Sequence, residues 1–591
     1  MKYDEKKFNS AVEEYKKSLG NVKAKSFFVV FDIKNKKAFF SIAPLSRAIQ
    51  GLDADMNVTG IDKKSEGLDA LKDVWEVFKQ NKDGKSDEKT EALVDFVEEV
   101  EKKAEGKFIG LFKAPDYILE AKESGFQGDF ALPFRNDWFK DYKAKELDET
   151  CKKIWTDVYN LKSNERVSIG FVLIQKDEML GHPLEDYLDS YAISWHAMLN
   201  CKNISKAVTM GSSTQRMSML DKAENISELR VTLLGCELCK DSDEEIFKKY
   251  KKVSGLLNLG RIKSADVMFS LAGKGYPGKH LFGEINGYPS LNGKTRWQSP
   301  GQMIYKLDYS PQTALDDRNP LARIGFTETL PIDVFIETCN IDWKKMRDRN
   351  WKIKEIEDKC SIIKVSGEET NGLKTDLEVG LIRKDGIHRW VRTSDTDVRE
   401  KINSEYLKRT GIKAGTMANL PGGEAFVTPE YVKGTFIGDV VISIDQSYLL
   451  SEKEPLIVEC YGDKYKIISG PEDIINKFEK KKKEAWQLIM NQEKFRSLPK
   501  EVIDLKKNNF TRIGEFAINT NPNARLCDYL IVNEKIARMM HIALGSGFEP
   551  DRATDYHTDI VINAPRQKMD IYGVDDKGEK HWIIKKGEFV V

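Results

Sequence analysis

A chain of 591 residues with 94 Lys plus Arg against 94 Asp plus Glu carries no net charge, which excludes a global field for nucleic acid or an acidic membrane surface. At roughly 100–200 residues per domain the length predicts about three units. The opening MKYDEKKFNSAVEEYKK lacks the apolar core of a secretion signal, no apolar run approaches the ~18 residues of a membrane span, and eight scattered cysteines lack the spacing of a disulfide framework, so a cytoplasmic protein is expected.

The first elements alternate. FFVVFD (27–32) is a short apolar run typical of a buried strand, 38–52 predicts a helix, and 53–61 a second strand, together a βαβ start. NKDGKSDE (81–88) is turn-rich, 89–107 reads as a charged helix, and FIGLF (108–112) as the next strand. Further strands are expected over 167–174, 229–234 and 265–271. The single C-x-x-C, Cys236 and Cys239, has no second pair to complete a structural zinc site. A stretch rich in Gly, Pro and Asn from 273 to about 311 marks a domain junction; its GKGYPGK has phosphate-loop spacing, but His280 stands where Ser or Thr would hold magnesium.

Beyond about 332 the texture changes. A helical segment with Trp343 and Trp351 precedes strand-like runs at 361–365, 375–382, 390–393, 438–443 and 456–461, and the chain ends in IIKKGEFVV. The expected organisation is an α/β N-terminal part followed by a β-rich α+β C-terminal metal-binding domain. Its divisions are 1–160, an N-terminal α/β extension or divergent part; 161–315, an α/β domain; and 316–591, the α+β catalytic domain. Trp343, Trp351 and Trp390 are expected in the core, and the lysines at 480–483 on a solvated helix face.

Only seven histidines occur, so His541 and His557 beside acidic residues carry weight. Alternation in DYHTDIVIN (555–563) predicts a strand with His557 and Asp559 on one face. His541 follows a helix-like run, 533–540, and opens IALG. Glu515, in RIGEFAI (512–518), is expected beside Ile513 and Ala517 on an inward face, where a buried carboxylate needs a compensating partner. Glu424 lies in NLPGGEAFVTP (419–429), where Pro and paired Gly give a turn that feeds an extended segment. Taken singly, a residue such as His541 or Glu515 is more often an ordinary satisfied polar residue than a ligand. Together, three carboxylates and two imidazoles are a mixed ligand set suited to Zn, Mn, Co or Fe, and a carboxylate can bridge two ions.

TDL (375–377), NLPGGEAF (419–426), GEFAINTNP (514–522), HIALG (541–545), HTD (557–559) and GEF (587–589), in that order, resemble the thermophilic-type metallo-aminopeptidases, the aminopeptidase T and S family. The resemblance covers roughly 320–591, extends back to about 165 and is weak before that. It implies that Glu424, Glu515, His541, His557 and Asp559 ligate two divalent ions, Zn, Co or Mn, in a homodimer whose substrate is a peptide, with Glu424 as proton shuttle. Neither nucleic acid nor membrane is an expected partner. The family commonly has a catalytic tyrosine seven residues after the first histidine, and Phe548 stands there instead. Tyr556 is a candidate replacement, although it neighbours His557 and strand neighbours face opposite ways; Phe548 could simply line the pocket. A related branch resembles iron-dependent ring-cleaving dioxygenases acting on dihydroxypyridines, for which His541, His557 and Asp559 on one Fe(II) would suffice, and a binding relative with a weakened site is a third reading.

Overall fold

The computed structural model describes residues 3–21, 26–32, 34–52, 55–61, 108–110, 117–120, 131–163, 167–172, 174, 183–201, 208–212, 267–272, 323–369, 372–394, 408, 416–494, 500–552 and 554–591, in two compact units. The helix expected over 89–107, the strand over 229–234, the C-x-x-C and the 273–311 stretch with its GKGYPGK lie outside the described residues.

The first unit comprises Met1–Asn292, Met303–Ile336 and Val398–Thr416. Its helices include α1 (Glu5–Leu19), α2 (Lys36–Gly51), α3 (Ala144–Lys153) and α4 (Leu184–Asn200). The strands β1 (Ser26–Asp32), β2 (Asp55–Ile61), β3 (Phe108–Gly110), β4 (Tyr117–Glu120), β5 (Ala131–Pro133), β6 (Val167–Val172), β7 (Val208–Ser212), β8 (Val267–Ala272) and β9 (Arg323–Glu328) run in the order β9-β8-β6-β7-β2-β1-β3-β4-β5. Helix α2 starts where the Asn35 side chain accepts from the Ala38 amide at 3.1 Å, closing a donor that the first turn leaves open. It crosses between parallel β1 and β2, and α4 crosses in the same way between parallel β6 and β7. Phe39 joins the two helices, with ring centroids 5.5 Å from Tyr191 and 5.6 Å from Trp195.

The boundary expected near 160 does not divide this sheet. β2 and β7, from either side of it, pair antiparallel through Thr59 with Met210 and Gly60 with Thr209, so hydrogen bonds run across the supposed junction. His196 is a structural residue of this unit: its Nδ1 meets Asp148 at 2.8 Å and its Nε2 the Tyr142 hydroxyl at 2.6 Å. Among the described residues no helix is long and apolar enough to cross a membrane.

The second unit comprises Gly293–Gln302, Glu337–Asp397 and Met417–Val591. Helix α5 (Trp343–Lys359) begins where Asp342 accepts from the Lys345 amide at 3.0 Å; α6 (Glu472–Lys494) and α7 (Lys500–Asn509) follow later. The strands are β10 (Cys360–Ser366), β11 (Asp376–Gly380), β12 (Val391–Thr393), β13 (Thr416–Asn419), β14 (Glu424–Val427), β15 (Tyr431–Gly438), β16 (Val441–Ser443), β17 (Ser447–Leu449), β18 (Leu456–Gly462), β19 (Tyr465–Ser469), β20 (Ile513–Asn519), β21 (Met540–Gly545), β22 (His557–Ile562), β23 (Asp570–Asp575), β24 (Lys580–Lys585) and β25 (Glu588–Phe589). All of these but β13 form an eight-stranded sheet, β19-β18-β15-β11-β10-β23-β24-β25, and a seven-stranded sheet, β12-β14-β20-β21-β22-β16-β17. Every neighbouring pair of strands in both is antiparallel.

One apolar core is shared by the two sheets. Val365, Leu377, Val432 and Phe436 from the first meet Val427, Phe516, Ile542 and Ile560 from the second, with Phe478 and Ile489 of α6. The strand expected over 438–443 is in fact two: β15 ends at Gly438 in one sheet and β16 begins at Val441 in the other. Asp439, at the crossing, accepts from the Asn563 amide at 2.8 Å. Trp343 is buried and donates to Cys339 O at 2.8 Å, and Trp390 is buried under the Arg392 guanidinium, 4.3 Å from its ring centre. Trp351 departs from expectation, standing 43% exposed on the outer side of α5.

Candidate metal centre

Alternation along four neighbouring strands builds the site. Register pairs Glu424 with Asn519, Ala517 with His541, Glu515 with Ala543, Ala543 with Asp559 and Gly545 with His557, and directly opposed residues share a face. All five expected ligands therefore lie on one face of the seven-stranded sheet. Ala543, between Glu515 and Asp559, carries too little side chain to fill the space between their carboxylates.

Two glycines permit this layout. The pairing shifts between Ile513 and Glu515, so Gly514 is an extra residue in β20, and a Cβ there would lie 2.1 Å from Ser546 O. The bulge sends Ile513 into the core and Glu515 to the opposite face, which corrects the expectation that the two sit side by side. Gly423 has φ +126°, and a Cβ there would come within 2.7 Å of Asn521. It follows a cis Leu420–Pro421 bond and delivers Glu424 at the start of β14.

The donor atoms converge. His541 Nε2 is 3.2 Å from Glu515 Oε1, 3.8 Å from Glu424 Oε2 and 4.0 Å from Asp559 Oδ1. His557 Nε2 is 3.2 Å from Asp559 Oδ1 and 3.6 Å from Glu515 Oε2. Each imidazole is oriented through its other nitrogen: His541 Nδ1 donates to Asn519 Oδ1 at 2.8 Å, and His557 Nδ1 to Ser546 O at 2.7 Å. That leaves both Nε2 atoms directed at the carboxylates, the arrangement that outer partners impose on metal-binding histidines. Glu424, Glu515, His541 and Asp559 are buried, whereas the His557 side chain is 24% exposed and marks the open side.

The donor set fits a divalent cation. Glu424 Oε2 and both Asp559 carboxylate oxygens are buried without a hydrogen-bond partner; the 3.2 Å approach of His557 to Asp559 lacks hydrogen-bond geometry. Such orphaned oxygens are costly unless a cation meets them. Three donor sets gather here, each with ligand atoms mutually within 4.8 Å: Glu424, Glu515 and His541; Glu515, His557 and Asp559; and Glu534, His541 and Asp559.

Electrostatics follow from the packing. Burial, opposed by Lys535, raises the Glu424 carboxyl to about 7. Burial also disfavours charge on the imidazoles, but the carboxylates prevail and lift His541 to about 9 and His557 to about 10. Burial would raise Asp559 too, yet His557 and His541 hold it at about 2.

Two residues of this centre were not singled out from the sequence. Lys535 is wholly buried, with Nζ 2.8 Å from Glu424 Oε1 and 2.6 Å from Glu534 Oε1. Burial opposes its charge, but these two carboxylates hold it above the ordinary lysine range. The signal was adjacent acid and base, Glu534 and Lys535, just before an apolar strand. His541 itself lies inside β21 rather than at the end of a helix, since the preceding helix, α8 (Leu530–Asn533), has only four residues.

Tyr556 does not belong to the site. Its ring packs on Phe478 and Phe510, its hydroxyl donates to Phe510 O and meets the Tyr465 hydroxyl, and it lies in the core; strand parity turns it away from His557. Lys481 is likewise no solvated residue. Its Nζ donates to Ile444 O and, at 3.3 Å, to His557 O, and burial lowers it to about 8. Phe548, in contrast, borders the site, its ring edge-on to His557 at 5.6 Å and to Phe426 at 5.2 Å. The Phe548 amide donates to Thr428 Oγ1 at 2.8 Å, and the next residue, Glu549, accepts from buried Arg389 at 2.9 Å and from the Trp390 amide at 2.8 Å.

No family model matches the chain, and no curated protein matches it. Among solved structures, wild-type AmpT from Thermus thermophilus is similar at a TM-score of 0.39 and 13% identity, covering 76% of this chain and 100% of that one. At that level the likeness transfers neither fold nor activity.

Proposed function

We propose that the chain is a metal-dependent hydrolase that removes N-terminal residues from peptides, with two adjacent divalent ions held by Glu424, Glu515, His541, His557 and Asp559. The observation that carries this reading is Glu515, which turns Oε1 toward His541 and Oε2 toward His557, at 3.2 and 3.6 Å. One carboxylate facing two imidazoles is the disposition a bridging ligand requires. Divalent ions in such a site acidify a water and polarise a carbonyl.

The chain's own groups supply the rest. Glu424 is fixed through Oε1 by Lys535 while Oε2 faces the cluster, which places a carboxylate where it can take a proton from water and return it to a leaving amine. Phe548 offers no hydrogen bond to a tetrahedral intermediate; with Phe426 it forms an apolar wall beside half-buried His557. That wall suits an apolar group of the substrate.

The ring-cleaving reading needs only His541, His557 and Asp559. The retention of Glu515 and Glu424 within the same cluster supports hydrolysis instead. A homodimer belongs to the same proposal, on the strength of the motif resemblance, and light scattering of purified protein tests it. The decisive assay supplies Zn, Co or Mn and measures release of N-terminal residues from short peptides, with loss expected in Glu515→Ala and His557→Ala. Oxygen consumption on a dihydroxypyridine with a single ferrous ion contradicts it.

A further inference from the structure

The fold brings its own cation to this acidic cluster. Lys535 lies in the connection between β20 and β21, which is pinned on both sides of it. The Asn521 amide donates to Lys535 O at 2.9 Å, the Ala537 amide to Asn521 O at 3.1 Å and the Arg538 amide to Asn519 O at 3.0 Å. Asn533 clasps Cys527 through its amide at 2.9 Å and its carbonyl at 2.6 Å. The ammonium is thus held against Glu424 and Glu534, not swung in from the surface.

Of the three donor sets in the centre, two use a carboxylate that Lys535 already touches: Glu424 in one, Glu534 in another. Only Glu515, His557 and Asp559 are clear of it. An ion bound through Glu424 or Glu534 shares its carboxylate with a like charge in a buried setting, where repulsion is weakly screened. The clear set also includes both orphaned Asp559 oxygens and the partly exposed His557.

We infer that the two ion positions are unequal: Glu515, His557 and Asp559 hold the tightly bound divalent ion, while Lys535 guards Glu424, supplies positive charge there and leaves the position at Glu424, Glu515 and His541 weak and exchangeable. This inference rests on the metal-dependent reading above. Lys535 is a positioning residue in this scheme.

The test loads the full chain with Zn or Co, removes free metal by gel filtration and counts retained ions by elemental analysis, with titration calorimetry for affinity. Wild type retains one ion and takes a second only in excess metal. Lys535→Met retains two, the second position tightening by about 10–100-fold, the range that outer partners of ligands command, whereas Lys535→Arg retains one. His557→Ala loses the retained ion and Glu424→Gln keeps it; these two variants carry the test on their own if Lys535→Met does not fold. Two ions of equal affinity in wild type, a single retained ion in folded Lys535→Met, or loss of the tight ion in Glu424→Gln overturns the inference and leaves the metal-dependent reading standing. A wild-type chain that holds no ion under any loading overturns both.

Discussion

The two faces of the seven-stranded sheet share a backbone and little else. Phe516, Ile518, Ile542, Leu544, Ile560 and Ile562 point into the apolar core, while Glu515, His541, His557 and Asp559, drawn from the same three strands, point the other way. One face supplies burial, which stabilises folding in proportion to the apolar area removed from water. The other concentrates buried carboxylates, each of which costs stability until a cation meets it. A period of two lets a single sheet act as both scaffold and site, and the two faces differ in what a substitution removes.

The sharpest break between them is in activity. Glu515→Ala and His557→Ala are expected to lower peptide hydrolysis by at least ~100-fold, while in chelator each removes one partner of a buried ion pair and lowers the midpoint of thermal unfolding. Hydrolysis within about tenfold of wild type in both variants breaks the comparison.

Proton linkage sharpens it next. The imidazoles are raised to about 9 and about 10, so without metal they hold their protons at neutral pH, and an ion must displace them. Metal affinity therefore rises with pH toward that range, by about tenfold per pH unit for each proton released. Calorimetry in buffers of differing ionisation enthalpy counts those protons, and an affinity independent of pH between 6 and 8 contradicts the assignment.

On the core face, Ile542→Ala removes a wholly buried side chain and is expected to cost about 2–5 kcal/mol in denaturant unfolding. Ions bound per folded chain stay unchanged. The smallest effect is Tyr556→Phe, which deletes a hydroxyl bonded to Phe510 O and costs about 1 kcal/mol. Its kcat is expected to match wild type; a collapse of kcat with normal metal content places Tyr556 on the wrong face.

Legibility in the sequence tracked locality. Period-two alternation placed His557 with Asp559, and the apolar runs over 167–174 and 456–461 emerge as the strands Val167–Val172 and Leu456–Gly462. What failed depended on pairing across the chain. The bulge at Gly514 exists because β20 must pass Ser546 O, and nothing within 512–518 announces that partner. The boundary near 160 dissolved because β2 pairs with β7, about 150 residues apart. Lys535 was not singled out in the sequence, since its burial depends on a connection anchored by Asn521 and Asn533. The five candidate ligands were grouped through ordered motifs, whereas the buried Lys535 beside them needed coordinates.

The most direct measurement is an anomalous-difference map from crystals soaked with zinc or cobalt, recorded at the metal edge. The account predicts its strongest peak about 2.0–2.2 Å from a Glu515 oxygen, His557 Nε2 and an Asp559 oxygen, within the usual range for such ligands. Full occupancy elsewhere with no peak between these three residues contradicts it.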